Sequence, residues 1–434
     1  MKKPKVSVII PSFNREKYIC DNIDSLLNQS LADIEIIIVD DCSTDNTVNL
    51  IGKYKDKRIK LIKNKVNLGV AASRNIGFRH AIGEYIAISD SDDINHKDRL
   101  FKQSAFLDEN LDIDVVVCKV QEIKDNRYGA IHSYDCTDEA IRANWLFQPG
   151  IPSFMMFRKD KITKEKLLYH DESFKAAVDY QWYTQLNNNI KIHCIPEVLY
   201  YYRRHKEQIS TAGYKIQQQF ADKIRLEQLK RLDINPLPEE LIIHTKLSNA
   251  QIKEISPKEY IKFLEWGHFL LDSNRMKKIY SQTYLESIIA KKLFHITEAV
   301  GYYQKALFDL WDESVFSNYI RLPEQELKQN KVEQKVQSIK NNSVIVGSKR
   351  MAYYFKETLN NYGIRVISYI DSNSSIVGKE IEGCPIIGIE NLKNKQQITY
   401  FISVLSEERY VIKENLINRY GINPQQIVII DELI

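Results

Sequence analysis

The chain has 434 residues, 44% of them hydrophobic and 27% charged, with a formal net charge of +4. That length leaves room for about three domains, and a charge this small argues against nucleic acid as a partner. No apolar run approaches the ~18 residues a membrane-spanning helix needs, and the N-terminus lacks a secretory apolar segment, so a cytoplasmic protein is expected.

In chain order, the β-branched run Val6-Ser7-Val8-Ile9-Ile10 closes on Pro11-Ser12-Phe13-Asn14, the pattern of a buried strand ending in a loop. A helix is predicted over about 18–28, with Ile19, Ile23, Leu26 and Leu27 on one face. A second apolar strand, 34–39, ends in Asp40 and Asp41, and the polar run 43–47 caps the next helix. A third strand, 59–62, leads through Asn67-Leu68-Gly69-Val70 into a helix carrying Arg74 and Asn75. The fourth, 85–89, delivers Asp90-Ser91-Asp92-Asp93. Alternation of this kind predicts a parallel sheet covered on both faces, with ligands bound beyond the carboxyl ends of its strands. Asp40, Asp41, Asp90 and Asp92 all fall at such ends.

The acid run carries the most information. Carboxylates this close repel one another, and a fold tolerates them best with a cation among them. Hard oxygen ligands suit Mn²⁺ or Mg²⁺, ions that reach proteins through one or two carboxylates plus substrate phosphates. The plain alternative is a solvated Asp/Ser turn.

Four blocks stand in order: Pro11-Ser12-Phe13-Asn14 after the opening strand, Val39-Asp40-Asp41-Cys42-Ser43-Thr44-Asp45, Asn67-Leu68-Gly69 through Ser73-Arg74-Asn75-Ile76-Gly77, and Asp90-Ser91-Asp92-Asp93. With them, residues 1 to about 210 resemble a family 2 glycosyltransferase of the inverting kind, with the GT-A fold. The resemblance implies an α/β class, a doubly wound domain like those of nucleotide-diphospho-sugar transferases. It places Pro11 and Phe13 at the nucleotide base, Asp41 at the uracil ring N–H, and Asn67, Arg74 and Ser91 along the rest of the nucleotide sugar. Asp90-Ser91-Asp92 matches the family's DxD motif, so Asp92 is expected to contact the metal and Asp90 to support the ribose or a metal-bound water. The segment 174–182 resembles the family's Glu-Asp block and makes Asp179 the catalytic base. Val178 stands where a Glu is common, which bears on acceptor identity. The run Tyr202-Arg203-Arg204-His205 matches a family pattern in which Arg203 and His205 close over the diphosphate or complete the metal shell. The turn 149–153 is expected to line the acceptor side.

The implied reaction moves a sugar, a hexosyl or N-acetylhexosaminyl group, from a nucleotide donor, UDP-linked by the Asp41 match. The acceptor is a hydroxyl of a glycan or a polyprenyl-diphosphate-linked sugar. The family context is bacterial surface polysaccharide synthesis, capsule and lipopolysaccharide included, with peripheral contact at the inner face of the cell membrane. The basic residues Lys55, Lys57, Arg58, Lys60, Lys63 and Lys65 suit an anionic membrane face, with a solvated surface as the default reading. Three other readings stay open. A sugar nucleotidyltransferase wants a Gly-rich phosphate loop after the first strand, which Pro11-Ser12-Phe13-Asn14-Arg15 is not. A catalytically silent sugar-nucleotide-binding protein would bind without turnover. A bifunctional enzyme would place a second activity in the C-terminal part.

The expected domains are 1–213, 214–338 and 339–434. The middle one reads as helical, and its stripe Tyr284, Leu285, Ile288, Ile289, Leu293 and Ile296 is either a helical core or a membrane-surface face. Its aromatic residues Trp266, Tyr302, Tyr303, Phe308, Trp311, Phe316 and Tyr319 either pack helices or line an acceptor-sugar groove. The last alternates strands and helices and resembles the Rossmann-like N-terminal domain of bacterial sugar O-acyltransferases. There Lys349 replaces the second Gly of a dinucleotide fingerprint, and Asp371 falls at the ribose spacing. Six scattered cysteines without a CxxC pair indicate neither zinc nor disulfides.

Overall fold

The structure, a computed structural model, describes residues 3–124, 127–132, 134–205, 208, 213–249, 252, 254–301, 305–319, 343–346, 365–370, 377–378, 380–381, 384–392, 395, 398–402 and 408–429. Packing divides the chain into two units, residues 1–249 with 265–288, and residues 250–264 with 289–434.

The first unit opens with β1 (Val6–Ser12), α1 (Ile19–Leu27), β2 (Ile34–Asp40), α2 (Thr47–Ile51), β3 (Ile59–Lys63), α3 (Val70–His80) and β4 (Tyr85–Ile88). Its four strands are parallel in the order β3-β2-β1-β4. Every residue of β2 is buried, as a strand covered on both faces requires. Ile37 and Val39 pack with Phe78 of α3 in one layer, while Ile36 and Ile38 pack with Ile23 of α1 in the other. That division is the two-residue period of a strand.

Beyond β4 the sheet becomes mixed. It adds β5 (Ile94–Asn95), α4 (Arg99–Glu109), β6 (Val115–Lys124), β7 (Arg127–His132), α5 (Asp138–Asn144), β8 (Met156–Arg158), α6 (Lys159–Lys164), α7 (Val178–Gln185) and β9 (Ile192–Arg203). β8 runs antiparallel to both β4 and β6, β9 runs parallel to β6, and the short β5 closes the edge on β9. This is the GT-A arrangement that the resemblance implies, a parallel half joined to a mixed half. The parallel sheet expected from the first four strands is borne out. A two-residue strand such as β5 carries too few side chains to show a period.

Helices α8 (Tyr214–Arg231) and α9 (Pro238–Asn249) pack on this same unit. Arg225 Nε donates to Phe147 O at 2.8 Å, and the buried His244 ring meets Leu146 O at 2.9 Å. Trp266, on α10 (Pro257–Lys277), donates from Nε1 to His244 Nδ1 at 3.1 Å.

The second unit contains most of α11 (Gln282–Gly301), then α12 (Lys305–Glu313) and a six-stranded sheet. The strands are β10 (Ser343–Val346), β11 (Val366–Ile370), β12 (Glu380–Ile381), β13 (Cys384–Ile387), β14 (Thr399–Ile402) and β15 (Ile427–Ile429), with α13 (Glu408–Asn418) before the last. Their order is β12-β13-β11-β10-β14-β15, and every pair except β12–β13 is parallel. Val344, Ile370, Tyr400, Ile402 and Leu416 form its core. Lys349 and Asp371, singled out for phosphate and ribose contacts, lie outside the described residues, as do Tyr302 and Tyr303. Leu285, Ile288, Ile289, Leu293 and Ile296 are all buried, so that stripe is a helical core rather than a membrane-facing surface. Trp266, Trp311 and Phe316 are buried as well, which leaves them to packing and not to a sugar groove. Among the described residues no helix is long and apolar enough to cross a membrane.

Candidate active site

A cavity of about 530 Å³ opens over the carboxyl ends of β1, β2 and β4, within the size range of small-ligand sites. Pro11, Phe13, Asp41, Asn67, Arg74, Asp90, Ser91, Asp92 and Asp179 all line it. Residues up to 168 positions apart in sequence thus share one space, because the parallel strands end together and α7 is brought across them.

One wall is organised by Asp41. Its carboxylate accepts from Asn64 Nδ2, Leu68 N and Gly69 N, each at 2.8 Å. These bonds fix the loop that begins α3, and Gly69 there takes φ +92°, a backbone region that favours glycine. Phe13 is 41% exposed, an aromatic face left open to the cavity. Asn14, next to it, is also left-handed at φ +53°, and its Oδ1 accepts from Thr44 N at 2.8 Å.

The acids form the floor. Arg74, 2% exposed, reaches from α3 to bridge Asp179 through NH1 and Asp90 through NH2, the latter at 3.1 Å. Its place is therefore between the expected base and the first acid of the DxD motif. Asp92 takes two partners on one oxygen: Arg15 Nε at 3.1 Å and His205 Nε2 at 3.0 Å both meet Oδ2. Asp93 is fully buried and accepts from Arg203 N at 2.8 Å.

The environment separates the three neighbouring acids. Burial pushes the Asp90 carboxyl up to about 6, against the pull of Arg74 and with the negative charges of Asp92 and Asp179 adding to the push. Burial raises Asp93 well above the usual carboxylate range, with Asp92 and Asp90 contributing. Asp92 goes the other way: burial opposes its charge, but the His205 hydrogen bond and Arg15 hold it below the ordinary value. The crowding expected from the sequence is eased by Arg74 beside Asp90 and Arg15 beside Asp92, while burial disfavours the charged form of Asp93.

Arg203 stands behind the acids. Its Nε donates to Asp92 O at 2.9 Å and its NH2 to Asp21 Oδ2 at 2.7 Å, and its guanidinium lies over the Tyr18 ring at 5.3 Å. It braces the backbone of the acid loop and is not among the cavity-lining residues. His205 stacks on Tyr18 with centroids 4.5 Å apart, and its Nδ1 has no partner among the described residues. Asn22 of α1 also holds the loop, donating from Nδ2 to Asp90 O and Asp93 O, both at 2.9 Å.

Sequence reasoning missed Arg15, Asn22 and Tyr200, whose hydroxyl accepts from Asp90 N at 3.0 Å. For Arg15 a signal was present, a lone cation directly after a strand-ending Pro-Ser-Phe-Asn turn. Asn22 and Tyr200 read as ordinary members of an amphipathic helix and an apolar strand.

Among the described residues, no three His, Cys, Asp or Glu side chains converge into a self-sufficient metal site. Asp92 with His205 offers one carboxylate and one imidazole. That set fits Mn²⁺ or Mg²⁺, which take few protein ligands and complete their shells with water and substrate phosphates.

Residues 7–165 match the family model for Glycosyl transferase family 2. A glycosyltransferase of Haemophilus influenzae is 31% identical over 278 residues, which cover 59% of this chain and 86% of that protein. The chain belongs to glycosyltransferase family 2. The poly(ribitol-phosphate) beta-N-acetylglucosaminyltransferase TarS of Staphylococcus aureus is 31% identical to this family 2 transferase over 231 residues, 51% of this chain and 39% of TarS. The crystal structure of S. aureus TarS 1-349 in complex with UDP-GlcNAc is similar at a TM-score of 0.45 and 21% identity, covering 69% of this chain and 92% of that one.

Proposed function

We propose that this family 2 glycosyltransferase moves a sugar from a UDP-sugar to a hydroxyl of a glycan or polyprenyl-diphosphate-linked acceptor, with inversion and with Mn²⁺ or Mg²⁺. The observation that carries the reading is the chain Asp179–Arg74–Asp90 on the floor of the same cavity that Asp92 lines. Asp179 is 27% exposed and faces the cavity, so an acceptor hydroxyl can reach it. It takes the proton of that hydroxyl while Arg74 holds the carboxylate in place. The oxygen attacks the anomeric carbon from the side opposite the diphosphate, and one displacement inverts the configuration. When bound at Asp92 and His205, the divalent cation supplies positive charge beside the leaving diphosphate.

Asp41 supports the uracil reading because its Oδ2 accepts one hydrogen bond among the described residues, from Gly69 N, and retains capacity to accept a ring N–H. TarS, an N-acetylglucosaminyltransferase by name, makes UDP-GlcNAc the first donor to test. A second cavity of about 500 Å³, lined by Tyr134, Asp135, Asn144 and Gln148, borders Pro149–Ile151, while Ser153 and Phe154 border the first. This turn between them supports placing the acceptor there. Surface polysaccharide synthesis at the inner membrane face is the context proposed. Of the basic run, Lys60 sits on β3, the sheet's edge strand, where lysines also discourage edge pairing.

The test is turnover of a UDP-sugar panel with and without Mn²⁺ by the parent, Asp92→Ala and Asp179→Asn. Metal-dependent turnover of one donor is expected, with Asp179→Asn losing about 10²–10⁴-fold in rate while still binding UDP. An Asp179→Asn variant as fast as the parent would remove the base assignment, and UDP binding without any turnover would favour the silent binding protein.

A further inference from the structure

Arg15 has no part in the reading above, yet it lines the cavity and pairs with Asp92. Its Nε meets Asp92 Oδ2 at 3.1 Å, the oxygen that His205 Nε2 also reaches at 3.0 Å. All three side chains are largely buried, at 15%, 10% and 9% exposure for Arg15, Asp92 and His205. The remaining contacts of the guanidinium are two neutral carbonyls of its own turn, Phe13 O and Asn14 O, each 3.0 Å from NH1. The backbone beneath is pinned, since Arg15 N donates to the buried Thr47 Oγ1 at 2.7 Å. Only the side chain is free to change partner, and it lines the same cavity as Phe13, Asp41 and Asp90.

A carboxylate oxygen already bound by a guanidinium is a poor site for a divalent cation, because the two positive groups compete for it and repel each other. A diphosphate reverses the balance. It offers a guanidinium a bidentate partner with more charge than one carboxylate oxygen, and Arg geometry matches it. We propose that Arg15 is a built-in counter-ion of Asp92 that a donor diphosphate draws away, so that the metal and the nucleotide sugar enter as a pair. This rests on the metal-dependent reading above. Arg15 keeps a lone metal off Asp92, then holds the donor's phosphates once they arrive. The coupling is reciprocal by linkage: UDP tightens the metal by the same factor as the metal tightens UDP.

The experiment is titration of the full chain with Mn²⁺ alone, followed by electron paramagnetic resonance of free Mn²⁺, then with saturating UDP, for the parent, Arg15→Gln and Arg15→Lys. Circular dichroism confirms that each variant folds. Arg15→Gln is expected to bind Mn²⁺ alone about tenfold more tightly or better, the worth of one charge-assisted hydrogen bond. Its Mn²⁺–UDP coupling factor should shrink by a similar amount, while Arg15→Lys stays nearer the parent. If the parent shows strong coupling and Arg15→Gln matches it in both titrations, the role of Arg15 is overturned and the metal reading stands. If the parent itself shows no coupling between Mn²⁺ and UDP, the metal reading fails and this proposal falls with it.

Discussion

His170 is the least accommodated side chain near the site. It is 4% exposed, it stacks on Phe78 at 5.6 Å and touches Trp182 at 5.8 Å, and neither ring nitrogen has a partner among the described residues. Burial, with Arg74 adding, pulls its imidazole well below the ordinary value of 6.5. Below that value the unfolded chain takes a proton that the folded chain refuses, so stability falls as the pH is lowered. The slope is about 1.4 kcal/mol per pH unit. His170→Phe keeps the stacking and removes the titration. The variant is expected to match the parent within about 1 kcal/mol at pH 7.5 and to exceed it by about 1.4 kcal/mol more at pH 5.5. Urea melts at the two pH values check this, and an unchanged difference between them would show that the ring is not held neutral. The same scale explains why Asp92 and Asp93, adjacent in sequence, differ: one meets Arg15 and His205, the other is fully enclosed. Their neighbours in space come from distant segments, so no local pattern announces the difference.

At the scale of elements, α3 sets the position of Arg74, and a glycine sets the position of α3. A Cβ at Gly77 would fall 2.4 Å from Ile9 Cγ2 on β1, so the helix lies this close to the sheet only because the atom is missing. Gly77→Ala is expected to cost about 1–3 kcal/mol and to weaken UDP binding, since Arg74 is one turn back on the same helix. Gly52, at the end of α2 with φ −63°, is the control: a Cβ there meets nothing closer than 3.4 Å. Gly52→Ala is expected to be neutral or to stabilise by up to about 1 kcal/mol. Equal effects of the two substitutions in denaturant melts would refute the close-approach argument. The first four strands and the helices between them were legible because a covered parallel sheet writes long apolar runs into the sequence. β5, at two residues, was not, since pairing with β9 and not periodicity makes it a strand.

For the whole molecule, the first unit is discontinuous in sequence. Residues 265–288 return to it and bring Trp266 onto His244, Tyr280 OH onto Gln228 Oε1 at 3.0 Å and Lys277 onto Asp233 at 2.7 Å. A chain ended after residue 249 loses these contacts and exposes the surface beneath them. It is expected to be less stable than a chain ended after residue 319 by at least about 3 kcal/mol, the cost of deleting one buried tryptophan. The longer chain is expected to retain UDP binding. Coincident melts for the two truncations would show that residues 265–288 add nothing to the first unit.

The sequence by itself determined the local pieces: strands ending in acids, the helix that presents Arg74, the helix that begins beside Asp179, and the family to which they belong. Hydrophobic period, turn residues and motif spacing act over a few residues, so they can be read without coordinates. The tertiary structure alone decided the partners of those pieces. Arg15 and Asp92 are 77 positions apart, His205 and Asp92 113, and Arg74 and Asp179 105. Charges that far apart along the chain meet only where strand ends converge, and burial there, which no local window records, pushes Asp90 and Asp93 up while His205 and Arg15 hold Asp92 down.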